Sequence, residues 1–202
     1  MPAKRKRSEN DRLQGCESVR GEVALLIIDM INDLEFDEGQ NLLKHALPAA
    51  ENLAKLKQHF RDHDLPIIYA NDNFGKWKSD FRVQVEHCLR EGVCGQPIVE
   101  MLLPHDEDYF VLKPKHSAFY ATTLDVLLEH LQVKRLVITG VATDICVLFT
   151  SNDAYMRDFR IAIPADCVAA NTRQRSEDAI SLMKRVLKAD VRNSSELMKD
   201  IK

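Results

Sequence analysis

The stretch RLVITGVATDICVLFTSNDAYMRD, from Arg135 to Asp158, reads as a strand, a tight turn and a helix. Leu136 to Thr139 is short, apolar and β-branched, which suits a buried strand of a parallel sheet better than a helix. Gly140 ends the run. Thr143 and Asp144 are residues of the N-capping type, and Ile145, Leu148, Phe149 and Met156 recur beyond them at roughly helical spacing. Cys146 therefore falls in the first turn of the helix, where unpaired backbone N–H groups and the positive end of the macrodipole favour a thiolate. A cysteine in that place is either a nucleophile or a small buried hydrophobe, the usual lot of a free cysteine.

Composition narrows the surroundings of that helix. A chain of 202 residues with 45% hydrophobic content can bury one substantial core. The expected organisation is a disordered basic tail over residues 1–20 and one domain over 21–202. A net charge of -3 and a pI near 6.2 give no electrostatic reason to expect nucleic acid or an anionic membrane as partner. The sequence has no apolar run of about 18 residues, so no span is expected. Five cysteines, at 16, 88, 94, 146 and 167, form no C-x-x-C pair and leave an odd one, which fits a reducing cytoplasm better than a disulfide framework. The run Lys4 to Arg7 is basic but lies in a segment without the apolar core of a signal peptide.

Strands and helices alternate along the rest of the chain. Val23 to Ile28 is a continuous apolar run that stops at Asp29, the pattern of a central buried strand. Residues 33 to 46 read as a loop, and Pro48 as the first turn of a helix carrying Ala49, Leu53, Leu56 and Phe60 to about His63. A second strand runs from Pro66 to Ala70. A polar loop, residues 71 to 81, then holds Phe74, Gly75 and the single tryptophan, Trp77. A helix with Phe81, Val85 and Cys88 inward follows, and Gly92, Gly95, Pro97 and Pro104 mark residues 91 to 107 as irregular. The third strand, Tyr109 to Leu112, stops at Lys113. Thr122 or Thr123 caps a helix with Leu124, Leu127, Leu128 and Leu131 on one face. After the Cys146 helix, Arg160 to Ile163 is a fifth strand. Asn171 or Thr172 caps a helix with Ile180, Met183, Val186 and Leu187 as its apolar positions, and Ala189 to Arg192 is a weak sixth strand.

This alternation predicts a three-layer αβα sandwich, Rossmann-like, around a mostly parallel sheet of about six strands. Ligands of such sheets bind beyond the carboxyl ends of the strands. Asp29, Lys113 and Cys146 are expected there together. A G-x-G-x-x-G after the first strand is absent, which argues against a dinucleotide site.

Three segments now carry a resemblance: LLIIDMINDLEF around Asp29, VLKPKHSAFYATTLDVLL around Lys113, and TGVATDICVLFTSNDAYMRDF around Cys146. In kind and order they are similar to the isochorismatase-like cysteine hydrolases, which include nicotinamidases and N-carbamoyl amide hydrolases, over about residues 22 to 190. The resemblance implies an aspartate, lysine and cysteine triad on Asp29, Lys113 and Cys146. It also implies a cis peptide before Ala142, an oxyanion hole from the N–H groups of Ala142 and Cys146, and a homo-oligomer, dimer or tetramer. The chemistry is intelligible alone: a base takes the thiol proton, a cation stabilises the thiolate, and the sulfur attacks a carbonyl carbon. The expected reaction is cleavage of a C–N bond in a small amide, carbamoyl or ureido substrate through a thioester. The alternatives are a vinyl ether hydrolase of the isochorismatase type and a non-catalytic protein on the same fold.

The departures from the family pattern bear on substrate and metal. The opening Asp-x-Gln-Asn-Asp-Phe appears here as DMINDLEF, with Ile31 in place of the glutamine. Metal-binding nicotinamidases carry Asp-x-His after the second strand, where the ion holds a pyridine nitrogen; this chain has Asn71-Asp72-Asn73-Phe74. No metal or other cofactor is expected. His59 and His63 are an i, i+4 pair without a third ligand and read as a solvated helix face. Phe36, Phe74, Trp77 and Phe119 are the expected walls of the substrate pocket.

Overall fold

The structure, a computed structural model, describes residues 22–73 and 80–202. The predicted tail, residues 1–20, lies outside them. Strands β1 (Val23–Ile28), β2 (Ile67–Asp72), β3 (Tyr109–Lys113), β4 (Arg135–Val141), β5 (Arg160–Ala162) and β6 (Val168–Ala169) form one sheet in the order β3-β2-β1-β4-β5, with β6 also on β4. Every pairing is parallel. Helices α1 (Gly39–Asp62), α2 (Phe81–Cys88), α3 (Gln96–Met101) and α7 (Ser194–Leu197) cover one face, and α4 (Leu124–His130), α5 (Leu148–Tyr155) and α6 (Arg173–Val186) the other.

The strand β1 is apolar at every position because both of its faces are inside. Leu25 and Ile27 join the core beneath α1, with Leu53, Leu56 and Phe60, while Ala24, Leu26 and Ile28 join the core beneath α4 to α6, with Leu128 and Met183. Register then sets the height of the site. Ile28 pairs with both Ala70 and Gly140, and Ala70 pairs with Val111, so β1 to β4 end nearly level. Residues one or two steps beyond that row, Asp29, Asp72, Lys113 and Ala142, gather at one edge.

Gly140 makes the level ending possible. Its φ is +107°, and a Cβ there would lie 2.0 Å from the carbonyl oxygen of Ile28 on the neighbouring strand. Gly140→Ala combines a left-handed backbone with a clash against backbone that cannot turn away. It is expected to lower stability by about 3 kcal/mol or more, read from the denaturant midpoint. A loss below about 1 kcal/mol would mean that the strands separate there without difficulty.

Several sequence expectations need correction. Helix α1 begins at Gly39, not near Pro48, and Pro48 lies inside it. An internal proline costs about 3 kcal/mol, yet Leu42 and Ala46 extend the buried stripe of Ala49, Ala50, Leu53 and Leu56 backward, and that packing outweighs the lost bond. The stretch 91–107 is not wholly irregular, because Gln96–Met101 is helical and buries Ile98 and Val99. Ala189 to Arg192 gives only an isolated bridge, Ala162 to Asp190, whereas Val168–Ala169 pairs with the end of β4. In α5 the inward face is Thr150, Ser151 and Ala154, preceded by Val147. Phe149 and Met156, two of the apolar positions at helical spacing, are 52% and 78% exposed.

Candidate active site

Asp29 is the first residue past β1, at φ +52° and 6% exposed. Its Oδ1 accepts a hydrogen bond from the Asp72 N–H at 2.7 Å, and its Oδ2 lies 2.8 Å from the Nζ of Lys113. Lys113 ends β3 and is completely buried. Its Nζ also donates to the Lys115 carbonyl at 3.2 Å and to the Sγ of Cys146 at 3.5 Å, and it faces the Asp72 carboxylate at 3.6 Å. Asp72 pairs with Lys113 across β2 and β3, which puts their side chains on the same face.

Cys146 reaches this cluster from a π-helical turn, Thr143–Val147, that joins β4 to α5. The turn is wide because the Val147 N–H returns to the Ala142 carbonyl, five residues back, at 3.2 Å. Val141 and Ala142 are joined by a cis peptide, as the resemblance implied. Thr143 anchors the turn to α6 through its hydroxyl, 2.7 Å from that of Ser176.

Burial dominates the electrostatics. It pushes the Asp29 carboxyl above the ordinary range, opposed by the Lys113 ammonium. On Lys113 burial acts downward, but Asp29, Cys146 and Asp72 around it more than offset that and hold the ammonium above its usual value. Burial and then the Asp29 carboxylate push the Cys146 thiol up to about 12, against the pull of Lys113. Burial thus opposes the pull that the Lys113 ammonium exerts toward a thiolate at Cys146.

The structure brings Asp29, Lys113 and Cys146 together and treats the expected pocket aromatics differently. Phe36 is half-exposed. Phe74 and Trp77 lie outside the described residues. Phe119 is 5% exposed, and its ring packs on Phe159 and beneath the Arg157 guanidinium, so it serves the core under α5. At the mouth stand two residues that the sequence reading passed over. The Nδ1 of exposed His116 is 3.9 Å from the Cys146 Sγ, and its ring meets that of Phe149 at 5.5 Å. A cleft of about 370 Å³ lies elsewhere, between Phe81, Val85, Pro104 and Phe110 near the start of β3. It holds none of these groups.

Residues 23–194 match the family model for the isochorismatase domain. The chain belongs to the isochorismatase family. Among curated members, it is similar to the uncharacterized isochorismatase family protein YaaI of Bacillus subtilis, at 44% identity over 89% of this chain and 98% of that one. Among solved structures, N-carbamoylsarcosine amidase from Thermoplasma acidophilum shares 28% identity over 86% of this chain and 97% of its own, with a TM-score of 0.65. The nicotinamidase SaPncA from Staphylococcus aureus shares 25% identity over 85% and 97%, with a TM-score of 0.66. The α/β architecture is that of these family hydrolases. No helix of the described residues is long and apolar enough to cross a membrane.

In this isochorismatase-family chain the described residues at the end of β2, Asn71 to Asn73, do not fit the metal set of the Asp-x-His members. The buried Asn71 amide is committed to the Ile31 carbonyl at 2.7 Å, and Asp72 faces an ammonium, which repels a second cation. Asp33, Glu35 and His87 bring one ligand atom each within 4.8 Å of one another, but on the partly exposed surface of α2 and the loop after β1, and they take no part in the triad contacts.

Proposed function

We propose that this chain is a cysteine hydrolase cleaving the C–N bond of a small amide, carbamoyl or ureido compound through a thioester acyl-enzyme. The observation that carries the reading is the buried Lys113 ammonium held between the Asp29 carboxylate at 2.8 Å and the Cys146 sulfur at 3.5 Å. In the first half-reaction Asp29 takes the thiol proton as sulfur attacks the carbonyl carbon. The N–H groups of Ala142 and Cys146 hold the oxyanion. Collapse breaks the C–N bond, and Asp29 returns its proton to the leaving nitrogen. In the second half-reaction Asp29 activates water against the thioester, and the sulfur leaves beside Lys113. Atoms balance as amide plus water giving acid plus amine. The names of two structural neighbours, an N-carbamoylsarcosine amidase and a nicotinamidase, support C–N chemistry. A vinyl ether hydrolase does not need a thiol nucleophile, so Cys146 at this point favours the amide reading over that alternative.

The donor set after β2 supports a reaction without metal and leaves a pyridine nitrogen without an anchor. His116, 3.9 Å from the Cys146 sulfur, and Phe149 against its ring then meet the substrate in place of an ion, with Phe36 as a further wall of the proposed pocket. A panel of small amides, carbamoyl and ureido compounds, assayed for ammonia or amine release with and without a chelator, tests this. Turnover is expected to survive chelation, with nicotinamide the poorest of the panel. Loss on chelation with recovery on zinc or iron would overturn the metal claim. Nicotinamide as the best substrate would overturn the substrate claim.

A further inference from the structure

Lys113 is a buried cation whose two nearest polar side chains change charge during the proposed cycle. Asp29 alternates between carboxylate and carboxylic acid, and the Cys146 sulfur becomes a neutral thioester. In the two tetrahedral stages, when Asp29 carries the proton and sulfur is bonded to carbon, neither balances the ammonium. A buried unpaired cation either loses its proton or pulls in water, and either event would disarm the site.

Among the described residues, one further carboxylate faces the ammonium and takes no part in these proton transfers. The Asp72 carboxylate lies 3.6 Å from Nζ, directly across the β2–β3 ladder, with its side chain 35% exposed. Water reaches it, as water scarcely reaches Asp29. The same residue fixes the base, since its N–H holds the Asp29 Oδ1 at 2.7 Å. We propose that Asp72 is the standing counter-ion of Lys113, a positioning residue that keeps the ammonium charged and in place while Asp29 carries the proton in the tetrahedral stages, the one of deacylation included. This rests on the acyl-enzyme reading.

The groups facing Nζ among the described residues are Asp29 from the end of β1, Asp72 from β2, Cys146 from the π-helical turn and the Lys115 carbonyl. Removing the Asp72 charge makes loss of the ammonium proton easier, because a nearby carboxylate favours the charged lysine. The alkaline limb of deacylation therefore moves to lower pH.

The test uses p-nitrophenyl acetate, a small activated acyl donor, with the full chain. Deacylation is followed against pH in the wild type, Asp72→Asn and Asp72→Glu, and the Cys146 peptide is weighed for its acetyl adduct. Asp72→Asn is expected to slow deacylation on the order of 10-fold and to shift its alkaline limb down by about one pH unit, with Asp72→Glu restoring most of both. An adduct in the wild type with the limb unmoved in Asp72→Asn would overturn this inference and leave the acyl-enzyme standing. No adduct in the wild type would overturn both.

Discussion

Cys146→Ala is expected to reduce hydrolysis on the order of 10⁴-fold or more, because it removes the sulfur that forms the acyl bond. Its fold should survive. The side chain is half-buried in a turn held by Thr143 and by the Ala142 carbonyl, and truncating it leaves Lys113 paired with both Asp29 and Asp72. A melting temperature within a few degrees of the wild type should accompany the lost turnover. Cys146→Ser should fare no better, since a hydroxyl gives up its proton with more difficulty than the thiol, itself already pushed up to about 12. An alanine variant that still turned over the best member of the panel would end the covalent mechanism.

The second large effect is expected at the ion pair itself. Asp29→Asn removes the base and leaves the buried ammonium with a single, more distant carboxylate, so kcat should fall on the order of 10³-fold and stability by about 3 kcal/mol. Lys113→Met keeps the length of the side chain but removes the charge, and should lower kcat by a similar factor while stranding Asp29. In the double variant the kcat losses should not add, because the two residues act as one unit. Much of the lost stability should return, since no buried charge remains without its partner. Kinetics with urea titrations on the three variants check this. Small and additive losses would make the pair a structural feature with no part in the reaction.

How far the site could be read from sequence depended on whether its residues were marked by their own run or by a neighbour's. Asp29 and Lys113 interrupt apolar strands, and Cys146 follows a strand and a turn, so each is visible locally. Asp72 is not, because its importance comes from pairing with Lys113, and register is invisible in a single chain. His116 and Phe149 meet only after the turn has folded. Phe149 falls at helical spacing with Ile145, Leu148 and Met156, and hydrophobic periodicity takes such apolar residues as the buried face. Here the buried face of α5 is Thr150, Ser151 and Ala154, whose hydroxyls are satisfied at close range: Ser151 donates to the Val147 carbonyl and Thr150 accepts from the Ala118 N–H. Small packed polar groups carry no such signal. Pro48 misled in the opposite direction, since a proline suited to a first turn sits in mid-helix.

Strand β3 is the outer member of the sheet, hydrogen-bonded among the described residues to β2 alone. It is also the strand that ends in Lys113. Sheet borders open at lower free energy than sheet centres, so heat, urea or slow exchange with solvent would loosen this segment before β1 or β4. The ammonium would then leave its cradle while the spectroscopic signature of the fold, dominated by the interior strands and the long α1, persisted. Competence and foldedness are separate properties of this molecule, and the half-life of the first is set at its margin.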